Sequence, residues 1–209
     1  MQTRVKISPE GGSPDSPHFV TIEPLLSPDE CLQWIDFAER IGFDDAPINL
    51  GNGREARVPE IRNNRRAMID DPERSTALWD RTRPLLPETT LRDGRASATS
   101  FNERLRFYRY EPGQRFAIHG DGHYRRPDKS ETSRMSFLVY LNEAFEGGET
   151  DLFELGTCVP TTGLALCFRH RYLHEGRAVR SGVKYVLRTD IMYRYDRINP
   201  GAAGHSGEQ

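Results

Sequence analysis

His119 and Asp121 stand two residues apart in Ile118-His119-Gly120-Asp121-Gly122-His123. On an extended strand, residues i and i+2 project to one face, so this spacing would put an imidazole beside a carboxylate. Such a pair plus a second histidine forms a facial ligand set that leaves positions open on iron(II). Taken alone, the pair equally describes a solvated turn bearing a histidine. Candidate third ligands follow in Phe168-Arg169-His170-Arg171-Tyr172-Leu173-His174-Glu175-Gly176. Ten residues after His174 comes Lys184, and Arg188, four further on, shares its strand face. Cations enclosed in a fold need an anionic partner, which a dicarboxylate ligand would supply. A lysine that snorkels from an edge strand to water is the alternative. Arg188 would help hold such a ligand, contact an acidic substrate, or pair with Asp190 or another carboxylate.

Short strands must position these groups. Leu105, Phe107 and Tyr108 begin a strand that ends at the Glu111-Pro112-Gly113 turn, and Arg115 to His119 reads as its hairpin partner. Ser136 to Leu141, Thr150 to Phe153, Leu164 to Phe168 and Lys184 to Tyr195 continue the series. Close spacing with turn residues between argues for a sandwich or barrel. Before them, Ser27-Pro28-Asp29-Glu30 carries a capping box and a proline at the first helical position. Leu32, Ile35, Phe37 and Ile41 give that helix an apolar stripe, and a second helix is expected from Asp71-Pro72 to Pro84. Helices first and strands after predict an α+β fold with a mainly β core. The 209 residues suit one domain. Its expected layout is a loose tail over 1–17, a helical flanking region over 18–95 (opened by a short strand at 18–22), a β core over 96–196 and a second loose tail over 197–209.

At this point the sequence resembles the prolyl 4-hydroxylase-like family of iron(II)/2-oxoglutarate oxygenases. The resemblance runs from about Leu105 to Tyr195 and is carried by Arg109-Tyr110-Glu111-Pro112-Gly113, His119-Gly120-Asp121, Tyr140-Leu141-Asn142 and Gly147-Gly148-Glu149-Thr150. It ends on His174 with Val179, Gly182 and Lys184 behind it. It implies a double-stranded β-helix, a jelly-roll of cupin-like form. His119, Asp121 and His174 would bind Fe(II), with His174 preferred to His170 because its distance to Lys184 fits the family pattern. Lys184 would hold the far carboxylate of 2-oxoglutarate, with Tyr110, Tyr140 and Arg188 as further cofactor-binding candidates. The implied reaction consumes 2-oxoglutarate and O2, releases succinate and CO2, and hydroxylates a C–H bond of a peptidyl residue, amino acid or small metabolite; ascorbate would serve as a reductant. An aspartate at 121 argues for hydroxylation, because related halogenating enzymes carry a small residue there. A cupin-type metalloenzyme that does not use 2-oxoglutarate would leave Lys184 and Tyr110 unexplained. A non-catalytic binding module on the same fold is disfavoured because no ligand position is substituted.

His119 is preferred to His123 because only it stands two before an aspartate; His123 would line the site entrance or be solvated. The polar segment Gly51 to Arg66 holds five arginines. It reads as a solvated loop or as a lid whose Arg62, Arg65 and Arg66 would meet a substrate bearing carboxylates or phosphates. A net charge of -2 gives no bias toward nucleic acid or an anionic membrane, and no apolar run is long enough to span a bilayer. The N-terminus lacks the apolar stretch of a secretory signal. Three cysteines form no paired framework and suit a reducing, cytoplasmic setting.

Overall fold

Alternation along four central strands decides the architecture. In Arg104–Tyr110, Thr132–Tyr140, Ala165–Arg169 and Lys184–Tyr195, side chains on both faces are buried. Phe107, Phe137, Val139, Leu187 and Ile191 face one way and join Val20, Leu78 and Trp79 in a core beneath the helices. Tyr108, Tyr110, Leu138, Tyr140 and Val186 face the other way and pack with Leu152 and Phe168 in a second core. A sheet covered on both faces reads as a near-continuous apolar run, as Ser136 to Leu141 does.

The computed structural model describes residues 2–8, 19–51, 54–153 and 155–195. Ten strands form the large sheet. Its main path runs Arg4–Ser8, Phe19–Glu23, Ala165–Arg169, Thr132–Tyr140, Lys184–Tyr195, Arg104–Tyr110, Arg65–Asp70 and Asp44–Asp45, antiparallel throughout. A smaller sheet orders Phe116–His119, His174–Gly176, Thr150–Leu152 and Gly156–Cys158 across from it. The two sheets make the double-stranded β-helix expected above, with the second core and the candidate site between them.

The first helix, Pro28–Ile41, starts on the expected capping box: Glu30 N–H donates to Ser27 Oγ at 3.2 Å and Ser27 N–H to Glu30 Oε2 at 2.8 Å. Cys31 and Ala38 form its buried line, flanked by Trp34, Ile35, Phe37 and Ile41. Leu32, assigned to the stripe from sequence, is instead 58% exposed, because Cys31 takes the inward position one residue earlier. Asp71 caps the second helix, Pro72–Thr82, through the Arg74 N–H at 2.9 Å.

Three further sequence expectations change. Phe116–His119 is not the hairpin partner of Arg104–Tyr110; it pairs with His174–Gly176 in the small sheet. The chain crosses between sheets after the Pro112-Gly113 turn, so neighbours in sequence do not pair. Arg4–Ser8, placed in a loose tail, forms an edge strand against Phe19–Glu23. The segment expected to be one polar loop contains the strand Arg54–Ala56, which pairs with Ile48–Gly51 at its start, and Arg65 opens a strand of the large sheet. His18 and most of both expected tails, His205 included, lie outside the described residues.

Candidate metal centre

Phe116–His119 and His174–Gly176 pair with His119 directly opposite His174. That register brings the two imidazoles together, tilted by 51° with ring centroids 4.2 Å apart. Each ring is fixed from behind. His119 Nδ1 lies 2.8 Å from the Ala117 carbonyl, and His174 Nδ1 lies 3.0 Å from that of Tyr172. A proton on each Nδ1 satisfies those carbonyls and leaves each Nε2 with a free lone pair. Phe116 stacks on the His119 ring at 3.5 Å, and Phe168 meets His174 edge-on at 4.5 Å, so neither imidazole can swing freely.

Asp121 closes the set. Its Oδ1 is 3.7 Å from His119 Nε2 and its Oδ2 is 3.6 Å from His174 Nε2. One donor atom from each residue lies within 4.8 Å of the other two. Burial and the neighbouring His174 bring the His119 pKa down to about 4, and burial also lowers that of His174. Burial alone would raise the Asp121 pKa, but Arg188 and the two imidazoles hold it well below the usual carboxylate range. At neutral pH the three groups are therefore two neutral imidazoles and one carboxylate. Divalent metal binding requires that protonation state, and the donor set is the one that suits iron(II) with open positions. The residues fit the ion.

The cavity beside this centre is lined by Tyr108, Tyr110, Phe116, Leu138, Tyr140, Thr150, Gly176, Lys184, Val186 and Arg188, together with the three donors. Lys184 is 3% exposed and forms no ion pair among the described residues. Its Nζ donates to the Gly148 carbonyl at 2.6 Å and lies 5.2 Å from the ring centroids of both Tyr110 and Tyr140. Burial lowers its pKa to about 8. Gly148 has φ +65°, and a Cβ there would stand 3.0 Å from Lys184 Cδ, so the Gly147-Gly148 turn leaves room for the lysine stem. Tyr140 donates to Thr150 Oγ1 at 2.7 Å. The pocket at this end thus offers a cation between two aromatic walls, a fit for a carboxylate on an organic ligand.

Arg188 shares the strand face of Lys184, as expected, but stands at the metal end. Its Nη2 lies 2.9 Å from Asp121 Oδ1 and 3.3 Å from Asp190 Oδ1. Arg62 is also enclosed, its guanidinium carbon 4.6 Å from the Tyr108 ring centroid and 4.4 Å from that of Phe116, so it backs two cavity walls. Arg65 and Arg66 are not brought to the cavity lining: Arg65 is exposed and Arg66 lies 3.6 Å from Glu55. His123 lines a separate cavity with Arg125, Arg134 and Tyr195. His170 faces Asp190, with Nε2 3.5 Å from its Oδ1. Sequence reasoning missed Ser136, whose hydroxyl donates to Asp121 Oδ2, as well as Tyr108, Phe116 and Thr150. A lone serine within an apolar strand was the available signal for the first.

Residues 105–189 match the family model described as the 2OG-Fe(II) oxygenase superfamily. No curated protein matches the chain in sequence. Among solved structures, a viral collagen prolyl hydroxylase from Paramecium bursaria Chlorella virus-1, in its 2OG complex, is similar with 23% identity and a TM-score of 0.62, over 88% of this chain and 99% of that one. A Pseudomonas putida prolyl-4-hydroxylase gives 19% identity and a TM-score of 0.61, over 86% of this chain and 94% of that one. A prolyl hydroxylase from Trichoplax adhaerens, in complex with a hypoxia inducible factor peptide fragment, gives 20% and 0.61, over 86% of this chain and 84% of that one. These likenesses establish the fold.

Proposed function

We infer that this chain belongs to the 2OG-Fe(II) oxygenase superfamily, whose model its residues 105–189 match, and is a dioxygenase that uses Fe(II), 2-oxoglutarate and O2 to hydroxylate a C–H bond. The observation that carries the reading is the joint placement of two features along one cavity. At one end are the donor atoms of His119, Asp121 and His174; at the other is the buried Lys184, which no carboxylate among the described residues pairs with.

In this reading His119, Asp121 and His174 hold the iron through Nε2, one carboxylate oxygen and Nε2. Loaded with 2-oxoglutarate and O2, the iron supplies oxidative decarboxylation to succinate and CO2 and the oxidising equivalent for hydroxylation. The protein contributes binding, orientation and shielding. Lys184 binds the far carboxylate, and its charge-assisted contact contributes about 1.5 to 3 kcal/mol. Tyr110 and Tyr140 wall the ligand between that contact and the metal. Phe116, Phe168 and the barrel core keep bulk water from the imidazoles, and Arg62 stiffens the wall from behind.

The substrate in this reading is a peptide or a small molecule, and His123, in a separate cavity, is a candidate to meet it. Ascorbate belongs to this reading as a reductant. No helix among the described residues is long and apolar enough to cross a membrane. Cys31, Cys158 and Cys167 are free and buried, which suits a cytoplasmic location. The test is anaerobic calorimetry with Mn(II) in place of iron. 2-Oxoglutarate should bind the Mn(II)-loaded protein, and far more weakly the metal-free protein. Equal affinity with and without metal would remove chelation, and this function, from the account.

A further inference from the structure

We propose that Arg188 is a positioning residue for Asp121, acting through a closed circuit of buried contacts, and not a ligand for the organic co-substrate. This rests on the reading of Asp121 as a metal ligand. The circuit starts at the Asp121 backbone, whose N–H donates to the His170 carbonyl at 3.1 Å. The His170 ring packs against Asp190, with Nε2 3.5 Å from its Oδ1, a contact without a hydrogen bond. Asp190 accepts from Arg188 Nη2 at 3.3 Å, and the same Nη2 lies 2.9 Å from Asp121 Oδ1. Both the main chain and the side chain of Asp121 are therefore tied to one enclosed unit.

Charge balance favours this assignment. Asp190 is 2% exposed and also takes Arg106 Nη1 at 3.2 Å. Two carboxylates, Asp121 and Asp190, thus face two guanidinium groups, Arg188 and Arg106. Arg188 has its counter-ions within the protein, whereas Lys184 forms no ion pair among the described residues. The two cations stand four residues apart on one strand, about 13 Å between α-carbons, and they turn to different partners, Lys184 Nζ to the Gly148 carbonyl and Arg188 Nη2 to Asp121. Arg188 further reaches Ser136 Oγ at 3.3 Å and the Tyr108 hydroxyl at 3.4 Å. A planar fork can serve several partners at once in fixed directions, and a lysine cannot. Partners behind a metal ligand fix its orientation, and their loss typically weakens metal binding about ten- to a hundredfold.

The experiment titrates metal-free protein with Co(II), without 2-oxoglutarate, and records affinity and the visible ligand-field spectrum. Arg188→Met is expected to weaken Co(II) binding about tenfold or more and to change the spectrum. Asp190→Asn should change the spectrum the same way, with a smaller loss of affinity, and Arg188→Lys should not restore wild-type values. Asp190→Asn also serves as the readout if Arg188→Met does not fold. A wild-type spectrum with unchanged or tighter affinity in the variants would overturn the proposal; Arg188 would then act only once the co-substrate is present. His119→Ala separates this from failure of the metal site itself. Undiminished Co(II) binding there would remove the underlying ligand assignment.

Discussion

Lys184 stands directly opposite Tyr110 in the antiparallel register of Lys184–Tyr195 with Arg104–Tyr110, and its Nζ lies 5.2 Å from the centroid of that ring. The pairing turns a buried cation into a binding site, because the aromatic wall excludes water without neutralising the charge. Lys184→Ala should therefore raise the 2-oxoglutarate dissociation constant about ten- to a hundredfold and leave metal affinity nearly unchanged. Calorimetry on the Mn(II)-loaded variant reads both. Unchanged co-substrate affinity would transfer the carboxylate to another residue.

The same lysine sets a pH dependence. Burial lowers its pKa from 10.5 to about 8, and only the protonated form attracts a carboxylate. Affinity for 2-oxoglutarate should be level below pH 8 and fall about tenfold per unit above it. Stability of the ligand-free protein runs the other way. Between about pH 8 and 10.5 the unfolded chain holds this proton and the folded chain does not, so this residue adds stability as pH rises. A Lys184→Met variant should lose both trends. Their persistence would assign them to a different group.

His174→Ala should abolish turnover yet leave the barrel folded, because His174 enters through its side chain while its strand is held by backbone pairing to Thr150–Leu152 and Phe116–His119. Circular dichroism should stay near wild type, and the thermal upshift produced by Mn(II) should disappear. A variant that keeps the upshift would not have lost a metal ligand.

The chemistry was legible where local geometry governs it. Lys184 and Arg188 on one face follow from strand period, whereas His119 and Asp121 converge although the strand ends at His119, because the Asp121 N–H is held by the His170 carbonyl. The capping box at Ser27 and Glu30 is equally local. Pairing was not legible, because Phe116–His119 meets His174–Gly176 through a register that only the folded sheets define. The role of Arg188 was hidden for the same reason: its face could be read, but Asp121 reaches it from a distant stretch of chain. Arg62, Arg65 and Arg66 look alike in sequence and differ only in what the sheet and the rings of Tyr108 and Phe116 enclose.

Those three arginines should separate on substitution. Arg62 is enclosed, bonds Asn64 Oδ1 at 2.8 Å and lies between two rings, so Arg62→Gln should cost about 1 to 3 kcal/mol in urea unfolding. Arg65 is exposed, and Arg65→Gln should stay within about 0.5 kcal/mol. Equal effects would mean that Arg62 contributes no more than a surface charge.

His119, Asp121, His174 and Lys184 should together consume 2-oxoglutarate. The direct measurement is the release of labelled CO2 and of succinate from 1-labelled 2-oxoglutarate by purified protein with Fe(II), ascorbate and air. Equimolar release is expected that requires Fe(II) and falls to background in His174→Ala, with Lys184→Ala recovering only at much higher 2-oxoglutarate. Metal-loaded, folded protein that binds 2-oxoglutarate but releases neither product, even with peptide and small-molecule candidates present, would contradict it.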